Sequence, residues 1–215
     1  MKKLIITCAV VLTVILLVPV SCAAPPAPMP APAPAPAPTP KTTKVIPGEG
    51  EKGIGVSGSY PAFTVDECIE HSDTIVIGKV TEILPAKWGK ETTRPLPKII
   101  YQDVIVQTER YLYGEPESEF IAVCVWGGKV GDTYMIADSE PLFTVGERTL
   151  LCLYRPPEES METVPEGIDP RSYYRVTASI PGKYDFKDSV LTDYKGQTTN
   201  VATFEEKIAA ASRNQ

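Results

Sequence analysis

The chain has 215 residues, with 21 basic and 27 acidic side chains, a net charge of −6 and five cysteines. No basic run offsets that acidic balance. Nucleic acid and anionic headgroups are therefore excluded as electrostatic partners, because both need Lys and Arg to replace their counterions.

In chain order, Lys2 and Lys3 precede an apolar run from Leu4 to Val20, which ends at Ser21-Cys22-Ala23. A basic start, an apolar core and small residues at the exit predict a secretion signal over residues 1–21. The core, about 17 residues, is shorter than the roughly 20 that a spanning helix needs. Ser21-Cys22 resembles the cleavage box of bacterial lipoproteins. That resemblance implies that Cys22 becomes the lipidated first residue of the mature chain, with the lipid bilayer as its partner and an extracytoplasmic, membrane-anchored location. Cleavage with release and retention of an uncleaved anchor are the alternatives. Several acyl chains on one cysteine would hold durably, at roughly 0.8 kcal/mol per buried methylene.

Residues 22–59 read as a stalk. From Ala23 to Pro40 alternating Ala and Pro carry no charge and too little bulk to bury, and prolines at this spacing favour polyproline II. At about 3.1 Å per residue this part reaches on the order of 55 Å. "KTTKVIPGEGEKGIGVSGS" continues it, loosened by glycine. Within it, Gly48 to Gly53 spell G-x-G-x-x-G. The phosphate-cradling use of that pattern needs a strand before it and a helix after it, and Glu49 and Glu51 would repel a phosphate. The match is incidental.

Residues 60–215 suit one domain with one core. "FTVDECIEHSD" predicts a two-turn helix whose capping box is Thr64 with Glu67. Segments rich in β-branched and aromatic residues follow, at 74–84, 98–114, 120–126, 148–154, 173–180 and 183–191, and the last two flank a Pro-Gly hairpin turn. In the second, Val104 and Val106 share one face while Tyr101 and Ile105 share the other. Strands that are apolar on both faces, without helices between them, predict a mainly β fold: a small antiparallel barrel, closed or nearly so. A C-terminal helix, "TFEEKIAAASRN", is capped by Thr203 with Glu206 and presents Phe204, Ile208 and Ala211 to the barrel.

The order "SDTIVIGKVTEI", "YLYGEP", "VGERTLLCLY", "YYRVTAS…GKYDF" resembles, over residues 62–192, an uncharacterised domain of secreted and lipid-anchored microbial proteins. Its layout is similar to OB-like barrels, the netrin-like module of metalloproteinase inhibitors among them. The resemblance implies the fold and carries no functional residue. Those inhibitors meet the metal through a free N-terminal cysteine at the barrel, and here the N-terminal cysteine would sit on a stalk.

Past Cys8 and Cys22, the domain holds Cys68, Cys124 and Cys152. A Cys124–Cys152 disulfide, a bond involving Cys68, or three free core thiols are all open. Cys68 and the single histidine, His71, lie three apart on one helix, the spacing of a nucleophile pair or half a zinc site. Asp66, Glu67 and Glu70 around them disfavour a thiolate, and no further ligand has metal spacing. No cofactor motif is present. Trp126, Tyr134, Tyr173 and Tyr174 are candidates for an aromatic binding surface. The expectation is a tethered binding protein without evident catalysis, taking an envelope protein or polysaccharide. A carboxylate-dependent hydrolase and a structural spacer are the alternatives.

Overall fold

A computed structural model describes residues 50, 52–56, 63–91, 98–116 and 118–213. The leader, Cys22 and the Ala/Pro part of the stalk lie outside the described residues. In chain order the elements are β1 (Lys52–Val56), α1 (Val65–Glu70), β2 (Thr74–Ile83), β3 (Lys87–Trp88), β4 (Ile100–Tyr113), β5 (Phe120–Trp126), β6 (Gly128–Val130) and β7 (Thr133–Ala137). β8 (Arg148–Tyr154), β9 (Tyr173–Val176), β10 (Lys183–Lys187), β11 (Val190–Thr192), β12 (Thr198–Asn200) and α2 (Val201–Ala211) complete them.

The fold is mainly β, an OB-like barrel with a short N-terminal helix and a C-terminal helix. Its wall runs β8–β2–β4–β5–β9, and β9 pairs back onto β8 to close five strands. Four of these pairings are antiparallel. The fifth is parallel: Ala122 and Val123 of β5 run alongside Tyr173 and Tyr174 of β9. Parallel neighbours need a long crossover. Here the crossover carries the β6–β7 hairpin, the segment over residues 138–147, and β8.

Alternation explains why the wall strands look apolar on both faces. Val76, Val80, Val104, Val106, Ile121, Val123, Leu151 and Leu153 fill the interior. The residues between them face outward and are covered again. On one flank Ile75, Ile77, Leu150 and Cys152 lie beneath Cys68 and Ile69 of α1 and Phe204 and Ile208 of α2. On the other, Tyr101, Ala122, Cys124 and Tyr173 lie beneath Met161, Val164 and Ile168. The β2–β4 register shifts between Ile77 and Gly78. A Cβ on Gly78 would stand 2.6 Å from Val106 Cγ1, so glycine lets β4 approach where β2 turns the barrel corner.

The α1 capping box forms as expected: Glu67 N–H donates to Thr64 Oγ1 at 3.2 Å, and Thr64 N–H to Glu67 Oε2 at 2.7 Å. Four expectations are corrected. α2 starts earlier than Thr203; Asn200 caps it, its Oδ1 accepting from Ala202 N–H at 2.9 Å. Tyr173–Val176 and Lys183–Lys187 do not form a hairpin with each other. Both line the same edge of β8, at Leu153–Tyr154 and at Thr149–Leu151. Between them the chain bends through Ala178 and Ser179, both at positive φ, and through Gly182, where any Cβ would collide with the Thr177 carbonyl. The segment 183–191 is two strands, because Asp188 and Ser189 both take positive φ and make a tight β10–β11 turn. Finally, residues 52–56, placed within the loose stalk, form β1. It pairs in parallel with β7, packing Ile54 and Val56 beside Ile99, Ile100 and Met135.

Candidate binding cleft at the barrel end

Where β2 ends and β4 begins, the barrel interior opens into a cleft of about 830 Å³. Its floor is Val104 and Val125, continuous with the interior core, and Phe143 closes the core from the crossover. Met135, Ile136 and Ala137 of β7 form one wall, which β1 backs. Lys183 and Asp185 of β10 and the turn after β11 form the other.

The mouth is apolar and open. Six large hydrophobic side chains are exposed among the described residues, and three of them, Leu142 (66%), Tyr194 (48%) and Ile136 (37%), line this cleft. The turn carrying Tyr194 is held by Asp193, whose Oδ1 accepts from Lys195 N–H at 2.9 Å and Gln197 N–H at 2.8 Å. An aromatic ring on a braced turn costs little ordering entropy on binding, a property shared by strong contact residues.

Ion pairs beside the cleft support its rings. Arg175 Nη2 donates to Glu140 Oε1 at 3.0 Å, with Glu140 almost fully buried, and the guanidinium stacks over Trp126 at 4.2 Å from the ring centre. Burial raises the Glu140 carboxyl above its ordinary range, and the Arg175 charge only partly offsets this. Lys183 lies 5.3 Å from the centre of the Phe143 ring and bridges Glu147 and Asp185, each at 3.2 Å. Cation–π contacts of this kind contribute about 0.5–2 kcal/mol and fix ring orientation.

A second polar cluster lies on the outer flank beneath residues 155–172. Asp103, fully buried on β4, accepts from the Tyr173 hydroxyl at 3.1 Å on Oδ1 and pairs with Lys87 Nζ at 2.9 Å on Oδ2. Burial raises the Asp103 carboxyl above its ordinary value, against the pull of Lys87. Lys87 also reaches the Thr163 carbonyl at 3.4 Å and lies 5.1 Å from the Tyr101 ring centre. This network pins the covering segment to the barrel. Neither Asp103 nor Lys87 was singled out in the sequence, where the only signal was one acid inside the apolar run "KIIYQDVIV".

Of the aromatic candidates, Trp126 lines the cleft. Tyr134 is half-buried on β7, its ring lying over Gly53 of β1, where any Cβ would strike it. Tyr173 and Tyr174 are buried, one in the outer flank and one in the interior, so neither offers a binding surface. Cys68, Cys124 and Cys152 are free and buried. Cys124 packs in the flank beneath residues 155–172, and Cys152 in the flank beneath the helices. The option of a Cys124–Cys152 bridge thus meets two separate clusters. Burial pushes the Cys68 thiol up to about 11 and the Cys124 thiol to about 12. His71 is exposed at the end of α1 with its ring edge-on to Phe63, while Cys68 points inward, so their spacing does not make a site. Among the described residues no three His, Cys, Asp or Glu side chains gather as metal ligands, and no helix is long and apolar enough to cross a membrane.

The class defined by these features is a five-stranded OB-like barrel with an apolar-mouthed cleft at one end. No protein-family model matches the chain, and no curated protein matches it.

Proposed function

We propose that this chain is an extracytoplasmic lipoprotein, tethered through Cys22, whose barrel captures an envelope protein or polysaccharide in the cleft. The observation that carries the reading is the gathering of Leu142, Tyr194 and Ile136 around the mouth of a cavity braced by the Arg175–Glu140 and Lys183–Glu147 ion pairs. Exposed apolar surface concentrated in one concave place is what a binding site leaves behind when its ligand is absent. The leader and the Ala/Pro stretch supply the tether, and the stretch sets the standoff from the membrane.

Two measurements test the two halves of this reading. Palmitate incorporation into the full chain is expected to disappear in Cys22→Ala; unchanged labelling would remove the anchor. Affinity capture from detergent-solubilised envelope is expected to recover one component at stoichiometric yield, and to lose it in Leu142→Asp/Tyr194→Ala. Equal recovery by the variant would remove the cleft. A carboxylate-dependent hydrolase is the second reading, favoured by Asp138, Glu140, Asp185 and Asp193 around the same cavity. It predicts turnover in an ester and glycoside panel that Asp138→Asn abolishes.

A further inference from the structure

Cys68 and Cys152 stand 84 positions apart in the chain, yet the fold buries both in one cluster and links their backbones through two hydroxyl side chains. Ser72, one turn after Cys68, donates its hydroxyl to the Cys68 carbonyl at 2.6 Å. The same hydroxyl lies 2.9 Å from Thr177 Oγ1, and Thr177 N–H donates to the Cys152 carbonyl at 2.8 Å. Both thiols are buried in the cluster where α1 meets the outer face of β8, beside Tyr184. Cys124 lies in the other flank, beneath residues 155–172.

We infer that Cys68 and Cys152 are the domain's disulfide pair, that their bond staples α1 to β8, and that Cys124 remains a thiol. The structure describes the reduced form. Oxidation is an exchange with a disulfide donor, either oxidised glutathione or a dithiol oxidoreductase in its disulfide form. Cys68 loses its proton and its thiolate attacks a donor sulfur, releasing one donor thiolate and leaving a mixed disulfide. Cys152, as thiolate, attacks the Cys68 sulfur of that mixed disulfide and expels the second donor thiolate. Two protein thiols are oxidised, one donor disulfide is reduced to two thiols, and two protons are carried away with them. Cys68 is the entry point because it sits on a six-residue helix, too short to persist without its packing, whereas Cys152 is held mid-strand between β2 and its neighbours. Deep burial keeps both thiols protonated in the closed fold, so the exchange runs during folding or when α1 lifts. That the bond forms in the cell rests on the extracytoplasmic reading; which two cysteines pair does not.

The test is a non-reducing tryptic map of the full chain, purified in detergent, alkylated, and compared before and after refolding in a glutathione redox buffer. The expected product links peptide 53–79 to peptide 149–171, gains two hydrogens on reduction, and leaves peptide 111–129 alkylated at Cys124. Cys124→Ala should give the same link in the same yield, and Cys68→Ala should abolish it. A link from peptide 111–129 to either partner, or full alkylation of all three cysteines after oxidative refolding, would overturn the pairing. If protein quenched in acid directly from cells is reduced while the refolded chain makes the 68–152 bond, the pairing stands and the extracytoplasmic placement fails.

Discussion

The flank of the barrel beneath the two helices and the end that opens as the cleft are built from the same wall strands, yet they resolve their apolar surface in opposite ways. On the flank, Ile75, Ile77 and Leu150 are capped by Phe204, Ile208 and Ile69, and all six are buried. At the end, Val104 and Val125 run out into a cavity whose rim carries Leu142, Tyr194 and Ile136 in the open, braced by the Arg175–Glu140 and Lys183–Glu147 ion pairs. The contrast separates two uses of hydrophobic surface. On the flank it holds the fold; at the end Leu142, Tyr194 and Ile136 stay exposed, while Arg175 and Lys183 orient the Trp126 and Phe143 rings.

This contrast can be broken most forcefully on the flank. Phe204→Ala empties a fully buried ring site against Tyr184 and is expected to cost about 3–5 kcal/mol in denaturant unfolding. Whatever fraction stays folded should keep its cleft binding. Next in size is Lys87→Met, which leaves the buried Asp103 without its counter-charge. Because Lys87 is partly exposed, a loss of about 2–3 kcal/mol is expected, and Asp103→Asn in the same chain should recover part of it.

A pH titration of the melting temperature sharpens the comparison further. Burial raises Glu140 and Glu147, both by the cleft, and Asp103 above their ordinary values of 4.5, 4.5 and 3.8. The native state therefore holds protons that the unfolded chain has released. The associated stability is fully present below those ordinary values and is lost as pH rises through the raised ones. Hydrogen bonds hold Glu67, with Thr64, and Glu109, with Arg148, below 4.5 instead, and their contribution is lost as pH falls through the lowered values. The melting temperature is expected to climb as pH falls from neutral through the raised values and to drop as pH falls through the lowered ones, with Glu140→Gln flattening the climb. The smallest effect on stability belongs to the rim: Leu142→Asp should change unfolding by under about 0.5 kcal/mol while removing partner capture.

Much of the barrel was legible because its strands carry strong local signals. Phe120–Trp126 and Arg148–Tyr154 are apolar on both faces and bounded by turns, and both ends fall where the residues predict. Thr64 and Glu67 mark α1 through a reciprocal pair of hydrogen bonds that depends only on neighbours. What stayed hidden depends on distant partners. "KGIGV" reads as a glycine linker, and only the β7 edge and the Tyr134 ring make it a strand. "GGKVGD" reads as a turn, yet with the residues that follow it folds into the β6–β7 hairpin, whose second strand walls the cleft. The break at Asp188 and Ser189 requires two positive φ angles that neither residue type demands. Trp126 was legible as a surface aromatic, but its stacking on Arg175 of β9, and the rim of Leu142 and Tyr194, come from segments far apart in the chain.

On the proposed function the cleft, and not exposed apolar surface in general, is the contact surface. A photo-crosslinking residue placed at Leu142 in the full chain, in cells, is compared with one at Val190, which is also exposed but lies outside the cleft. One discrete adduct from position 142 and none from position 190 is the predicted result. Matching adduct patterns from the two positions, or no adduct from 142, would contradict it.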